Sequence, residues 1–282
     1  MLKYINKYSL VAITLALLIG CNNNSGSSNE SDLSKNSDPV TIESLKSLQS
    51  SIDKDTRSSI KSLSTKVSDE EIKDPSSIDS AQICESGSID FNLQEAQNQF
   101  SFEAKECMVD QSTIDGALEI NGDENGMNIE IKVTKELSIK DQFSSLLAKK
   151  DSYLSIKSDM QDNITISSSF DLLLDQEEIK VDDLVIKAKK DTTSVSIYMP
   201  SGEMRIGKVY LKVDPNYDNS KTPFVINDDG SLQKGGLIKF LDILNHKMEI
   251  EAISSNEIEF RVDQNGDGEF SEDEKLIQNL DE

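Results

Sequence analysis

The stretch Ser194-Val195-Ser196-Ile197-Tyr198-Met199-Pro200-Ser201-Gly202-Glu203-Met204-Arg205-Ile206-Gly207-Lys208-Val209-Tyr210-Leu211-Lys212-Val213 alternates apolar and polar residues with hardly a break. A period of two puts successive side chains on opposite faces of an extended chain, so the stretch reads as half-buried sheet and not as helix. Val195, Ile197 and Met199 share one face. Pro200-Ser201-Gly202 reads as a turn, and the apolar parity shifts once more at Gly207.

The same period extends outward from there. Upstream, Ile164, Ile166, Phe170, Leu172 and Leu174 share one face of a long strand. Ile179 and Val181, then Leu184, Ile186 and Ala188, form the next, and the parity change at Asp182-Asp183 predicts a bulge. Gly116 to Ile120 and Met127 to Val133 flank the turn-rich Asn121–Gly126. Downstream come Leu237–Leu241, Met248–Ile253 and Glu257–Val262. The exception is Asp141–Lys150, where Phe143, Leu146 and Leu147 fit one or two helical turns. Strands joined by short turns pair antiparallel, because parallel pairing needs long crossovers. The expected fold is mainly β, an antiparallel meander of ten or more strands over residues 76–262. Open curved sheet, sandwich and barrel all satisfy the pattern.

Two cysteines sit at the start of this region. Ile89, Phe91 and Leu93 alternate, as do Phe100, Phe102 and Ala104, with Gln94–Asn98 between them. A hairpin that sets Phe91 opposite Phe100 and Ile89 opposite Phe102 also sets Cys84 opposite Cys107, the proximity a disulfide requires. Before the sheet, Ile42, Leu45, Leu48, Ile52, Ile60 and Leu63 recur at helical spacing, with Thr41, Glu43 and Ser44 able to cap the start. Residues 41–75 therefore read as a helical segment and linker.

The chain starts with Lys3 and Lys7, followed by the uncharged apolar run Leu10–Ile19, of signal-peptide length and too short for a bilayer of about 30 Å. Leu18-Ile19-Gly20-Cys21 resembles the lipobox of bacterial prolipoproteins. The resemblance implies cleavage after Gly20 (residues 1–20 being the signal peptide), diacylation of the Cys21 thiol, and N-acylation with chains such as palmitate. Membrane anchoring through Cys21 follows. The Ser/Asn/Asp-rich residues 22–39 read as a disordered tether. Asn22, in place of the Asp that favours inner-membrane retention, favours the outer membrane of a two-membrane envelope.

Formal net charge is −23, with 52 acidic against 29 basic residues. Such a surface repels nucleic acid and attracts cations. The single histidine, His246, lies in the polar turn Asn245-His246-Lys247 and leaves little for imidazole-based metal sites or catalytic triads. No catalytic constellation is evident, so a non-enzyme is expected.

One stretch carries ligand chemistry. Residues Asp263 to Glu274 resemble the calcium-binding loop of EF-hand proteins across twelve positions. The resemblance implies side-chain oxygens from Asp263, Asn265 and Asp267, the Glu269 carbonyl, Ser271 directly or through water, and a bidentate Glu274, with one Ca2+ bound. Gly268 falls at the sharp turn and Phe270 at the inward apolar position. A strand, not a helix, precedes the loop, and Ser271 with Glu274 forms a capping box that predicts a short helix to about Asn279. A shorter echo at Val209–Asn219 offers a second, weaker cation site at Asp214, Asn216 and Asp218, a solvated turn being the alternative. Three functions stay open: a membrane-tethered binding or structural module stabilised by calcium, an envelope carrier of lipids or other apolar molecules, and a carboxylate-based hydrolase.

Overall fold

In the computed structural model, residues 33–34, 37–51, 84–94, 98–109, 112–123, 127–140, 145–159, 161–174 and 177–280 are described. The expected signal peptide, the expected lipidation site Cys21 and the helical periodicity beyond Ser51 lie outside them.

The sheet begins with β1 (Ser86–Gln94), β2 (Gln99–Val109), β3 (Ser112–Gly122) and β4 (Asn128–Lys140). It continues through β5 (Ser145–Ala148), β6 (Tyr153–Ser158), β7 (Asn163–Leu174), β8 (Glu177–Lys190) and β9 (Ser194–Ile206). It closes the sequence with β10 (Val209–Val213), β11 (Phe224–Asn227), β12 (Leu237–Leu241), β13 (Lys247–Ala252), β14 (Glu257–Val262) and β15 (Lys275–Asn279). All fifteen belong to one sheet, and its ladders are antiparallel. Strand order follows chain order except at two branches. The short β5 and β6 each pair with β7 and with different lengths of β4, and β9 carries β11 on its first half and β10 on its second.

One face of this sheet is apolar along its whole width. The ladder aligns Phe91, Phe102, Leu118 and Val133 in one row, and Ile156, Ile166 and Ile186 in another. From β7 to β14 this face is one buried cluster, with Met199, Phe240, Met248 and Ala252 fully enclosed. Towards β1 the core thins to two small clusters, Ile89-Ala104-Cys107 and Val133-Leu137-Ala148, flanked by half-buried Phe91, Phe102 and Leu118.

Helix α1 (Ile42–Ser51) docks on the thick end, and Val40, Ile42 and Leu45 belong to the main cluster. Its start is closed as expected: the Ser44 N–H donates to the Thr41 hydroxyl at 3.0 Å and the Thr41 N–H to the Ser44 hydroxyl at 2.9 Å.

Four local expectations are corrected. Pro200-Ser201-Gly202 is no turn; β9 runs straight through it, and the irregularity is taken up by register shifts against β8. Ser145–Ala148 is strand, not helix, because Leu146 and Leu147 extend the ladder between β4 and β7. Lys275–Asn279 is strand β15, not helix. Five residues fall well short of the ~12–15 that make a helix even marginally stable, while the open edge of β14 satisfies their backbone at once. The β1–β2 register pairs Phe91 with Phe102 and Ile89 with Ala104, two residues away from the expected alignment. A shift of two leaves every side chain on its face, so alternation cannot detect it. Phe91 and Phe100 still meet diagonally, ring centroids 5.9 Å apart. The Cys84–Cys107 disulfide forms nonetheless, Cα atoms 5.2 Å apart, beside a bulge in β2 at Glu106 that shifts its register against both β1 and β3.

The parity change at Asp182-Asp183 is a bulge as read, with Asp183 at φ +45° and its N–H held by the Ser169 hydroxyl. Opposite it lies Gly202, at φ +133°, where an added Cβ would sit 2.5 Å from the Leu184 Cα. Neither the conformation nor the space admits a side chain. Gly202→Ala is therefore expected to lower unfolding free energy by about 2–4 kcal/mol, from backbone strain plus overpacking, read by urea denaturation; a loss below about 0.5 kcal/mol would contradict the close approach.

Candidate metal centre

The Asp263–Glu274 segment connects β14 to β15. It is flanked by two strands, and its only helical element is the single 3-10 turn Glu272–Glu274. The resemblance to EF-hand proteins is therefore corrected: no helix enters or leaves the loop.

What remains is a compact loop built on two buried carboxylates. Asp263 is 2% exposed and Glu274 3% exposed. The Asp263 N–H donates to the Lys247 carbonyl at the start of β13, which fixes where the loop departs. Its Oδ2 accepts the Gly268 N–H at 3.0 Å, pulling the chain into a tight return with Gly268 at φ +86°. Its Oδ1 is buried and has no hydrogen-bond partner among the described residues.

Glu274 holds the other side of the loop. Its Oε1 accepts the Gln264 N–H at 2.8 Å, and its Oε2 accepts the Ser271 N–H at 2.9 Å and the Ser271 hydroxyl at 2.7 Å. These donors, led by the Ser271 N–H and then its hydroxyl, hold the Glu274 carboxyl below its ordinary value of 4.5, against the opposing effect of burial. Asn265 and Asp267 are exposed, and each accepts the backbone N–H two residues on, at 2.8 Å. Glu269 and Ser271 lie on the exposed rim. Phe270 is half-buried beneath the Arg261 guanidinium, 5.6 Å from its ring centroid.

The structure thus ties Asp263 to Gly268, and Glu274 to Gln264 and Ser271, and leaves Asn265 and Asp267 folded on their own backbone. Among the described residues no group of three or more His, Cys, Asp or Glu side chains is placed to hold a metal ion. The donor set nonetheless suits a hard cation. Oxygen is the only ligand type on offer, and a carboxylate oxygen enclosed without a donor lacks the compensation that burial of charge demands.

The upstream echo is arranged differently. Asp214 Oδ1 accepts the Asn216 N–H at 2.8 Å, and Asp218 Oδ1 accepts the Ser220 N–H at 3.1 Å and the Ser220 hydroxyl at 2.6 Å. Asn219, in place of glycine, is buried and cross-links the sheet through the Met199 carbonyl and the Lys239 N–H.

Two neighbours of the loop and one of its own residues escaped the sequence reading as a group. Asp242, 3% exposed, accepts the Leu244 and His246 N–H groups on Oδ1 at 2.8 Å each and the Val40 N–H on Oδ2 at 3.2 Å. His246 lies against Gly266, its Nε2 2.7 Å from where a Cβ would stand, and its Nδ1 is 3.9 Å from Asp242. Gln264 Oε1 accepts the Ile42 N–H at 3.2 Å. An acid at a strand end was the only signal for Asp242; none marked Gln264, whose partner is more than two hundred residues away.

Comparison with protein-family models, curated proteins and solved structures finds no match.

Because the Glu274 carboxyl is held below its ordinary value, its contribution to stability is complete above about pH 4.5 and is lost as pH falls through the lowered value. In calcium-free buffer, Glu274→Gln should be less stable than the wild type at pH 7, with the gap closing towards pH 3. A gap that stays constant across that range, measured by urea denaturation, would contradict the assignment.

Proposed function

We propose that the protein is an exported lipoprotein, tethered to a membrane through Cys21, whose β-sheet module works without catalysis and takes calcium in the Asp263–Glu274 loop. The observation that carries the calcium reading is the Oδ1 of Asp263, buried and unpartnered in a loop otherwise closed by its own hydrogen bonds. The Cys84–Cys107 disulfide supports export, since such bonds persist in oxidising compartments. The lipobox supports the tether, and the acidic surface supports attraction of divalent cations over nucleic acid.

Asp263, Asn265, Asp267, Ser271 and Glu274 would hold the ion with side-chain oxygens, and Glu269 with its carbonyl. Bound calcium supplies two positive charges among these carboxylates and fixes a loop that joins the last two strands. Its role is structural, and the affinity expected for an extracellular site is about 10⁻⁴–10⁻³ M.

A carrier of apolar molecules is the alternative that the half-buried residues Phe91, Phe102, Leu118, Ile131 and Leu154 on the thin half of the sheet would serve. Stoichiometric uptake of a fatty acid would favour that reading.

Calorimetry on the purified chain is expected to show one calcium site, with stability rising by about 2.7 kcal/mol when calcium reaches one hundred times Kd. Asp263→Asn has a two-sided signature. It should abolish the heat, yet leave the calcium-free chain as stable as the wild type or more so, because an uncompensated buried charge has been removed. No heat at millimolar calcium in the wild-type chain would sink the calcium reading.

A further inference from the structure

His246 and Gly266 take no part in the calcium reading, yet the structure sets them against each other. The chain holds three Asn-Gly pairs, Asn121-Gly122, Asn125-Gly126 and Asn265-Gly266, of which the second lies outside the described residues. In such a pair the glycine nitrogen can close on the preceding side-chain amide, because no Cβ blocks the approach. Asn121-Gly122 is held in β3: the Gly122 N–H donates to the Asn98 carbonyl at 2.9 Å, and both residues pair with β4. Asn265-Gly266 is exposed, Gly266 stands at φ +76°, and the Gly266 N–H meets no acceptor among the described residues.

The groups around this pair suit a ring closure. Asn265 Oδ1 accepts the Asp267 N–H at 2.8 Å, which folds the side chain back along Gly266 and puts a donor on the oxygen where negative charge gathers during attack on Cγ. The His246 ring packs on Gly266, so that a Cβ there would stand 2.7 Å from Nε2 and 3.1 Å from Cδ2. His246 Nδ1 is buried without a hydrogen-bond partner among the described residues and faces Asp242 Oδ2 at 3.9 Å. Asp242 is itself fixed by the N–H groups of Val40, Leu244 and His246. A carboxylate on that side of the ring favours the proton on Nδ1, which leaves Nε2 as the lone-pair nitrogen beside Gly266.

We propose that Asn265-Gly266 is a self-modification site, at which His246 acts as the base and Asn265 is converted to aspartate and isoaspartate; the proposal uses no metal and is independent of the calcium reading. The Gly266 nitrogen forms a bond to Asn265 Cγ while its proton passes to His246 Nε2. The bond from Cγ to the side-chain amide nitrogen then breaks, and the proton leaves with the departing ammonia. One water opens the resulting succinimide at either carbonyl, and no oxidant or reductant is consumed. Aspartate adds a negative charge to the loop and keeps the oxygen that the Asp267 N–H binds. Isoaspartate adds a methylene to the main chain and disrupts that spacing. Neither product returns to asparagine, so the loop records the age of the chain.

Mass spectrometry of protease digests tests this on the purified chain, incubated at neutral pH with a chelator present. Three samples are followed in time: folded wild type, wild type unfolded in urea, and folded His246→Gln. Asn265 should convert about ten- to a hundredfold faster in the folded wild type than in urea, where His246 no longer lies beside it, a gain at the low end of what a positioned base contributes. Asn121 should stay unconverted in the folded chain. His246→Gln should lose most of the gain when folded and match the wild type in urea. If the folded wild type converts Asn265 no faster than the unfolded chain, or if Asn121 converts as fast, the proposal is overturned. Conversion in folded His246→Gln at the wild-type rate also overturns it. Should His246→Gln fail to fold, the comparison of folded with unfolded wild type still decides.

Discussion

The structure depends on covering one apolar face of a single antiparallel sheet. The strands from β1 to β14 contribute alternate apolar residues to that face, and each fully buried Leu, Ile, Val or Phe is worth about 1.5–3 kcal/mol. From β7 to β14 the face is enclosed, and the largest enclosed side chains, Phe224, Phe240, Leu184 and Ile197, lie there. The N-terminal segment completes this enclosure by adding Val40, Ile42 and Leu45. This N-terminal segment thus becomes part of the core.

At the opposite end the face is thin, and a covalent bond takes over part of the work. Only Ile89, Ala104 and Cys107 are buried in the first cluster. A disulfide closing a chain separation of 23 residues contributes roughly 3 kcal/mol in the chain-entropy model, comparable to one or two buried side chains. Placing it at the β1 edge holds the hairpin that has the least apolar area to hold itself. The loop at Asp263 sits at the other extreme, joining the last two strands of the well-covered half, where a buried carboxylate is enclosed by a core that does not yield to it.

How far the sequence could be read follows from the range of each interaction. Period-two alternation is local and found β7, β8, β10, β12, β13 and β14 within a residue or two, along with the bulge at Asp182-Asp183, but it passed over the short β11. It could not fix the β1–β2 register, because a slip of two preserves every face. Turn chemistry misled at Pro200-Ser201-Gly202, where the glycine serves a close approach to Leu184 instead of a reversal. The capping residues Ser271 and Glu274 do tie the turn they belong to, but the five residues after them are claimed by the edge of β14. In the site, the order of oxygen-bearing residues was legible; that Asp263 Oδ1 would be enclosed without a donor, and that Gln264 would reach Ile42, depend on pairing across the whole chain.

The central claim is that the buried oxygen of Asp263 is reserved for a cation. Crystals grown in millimolar calcium, measured near a wavelength where calcium scatters anomalously, test it most directly. The account predicts one anomalous peak in the loop, about 2.3–2.6 Å from Asp263 Oδ1 and within the same range of Glu274. A loop with no such peak, in which Asp263 Oδ1 accepts a hydrogen bond from a protein donor or an ordered water, would contradict it.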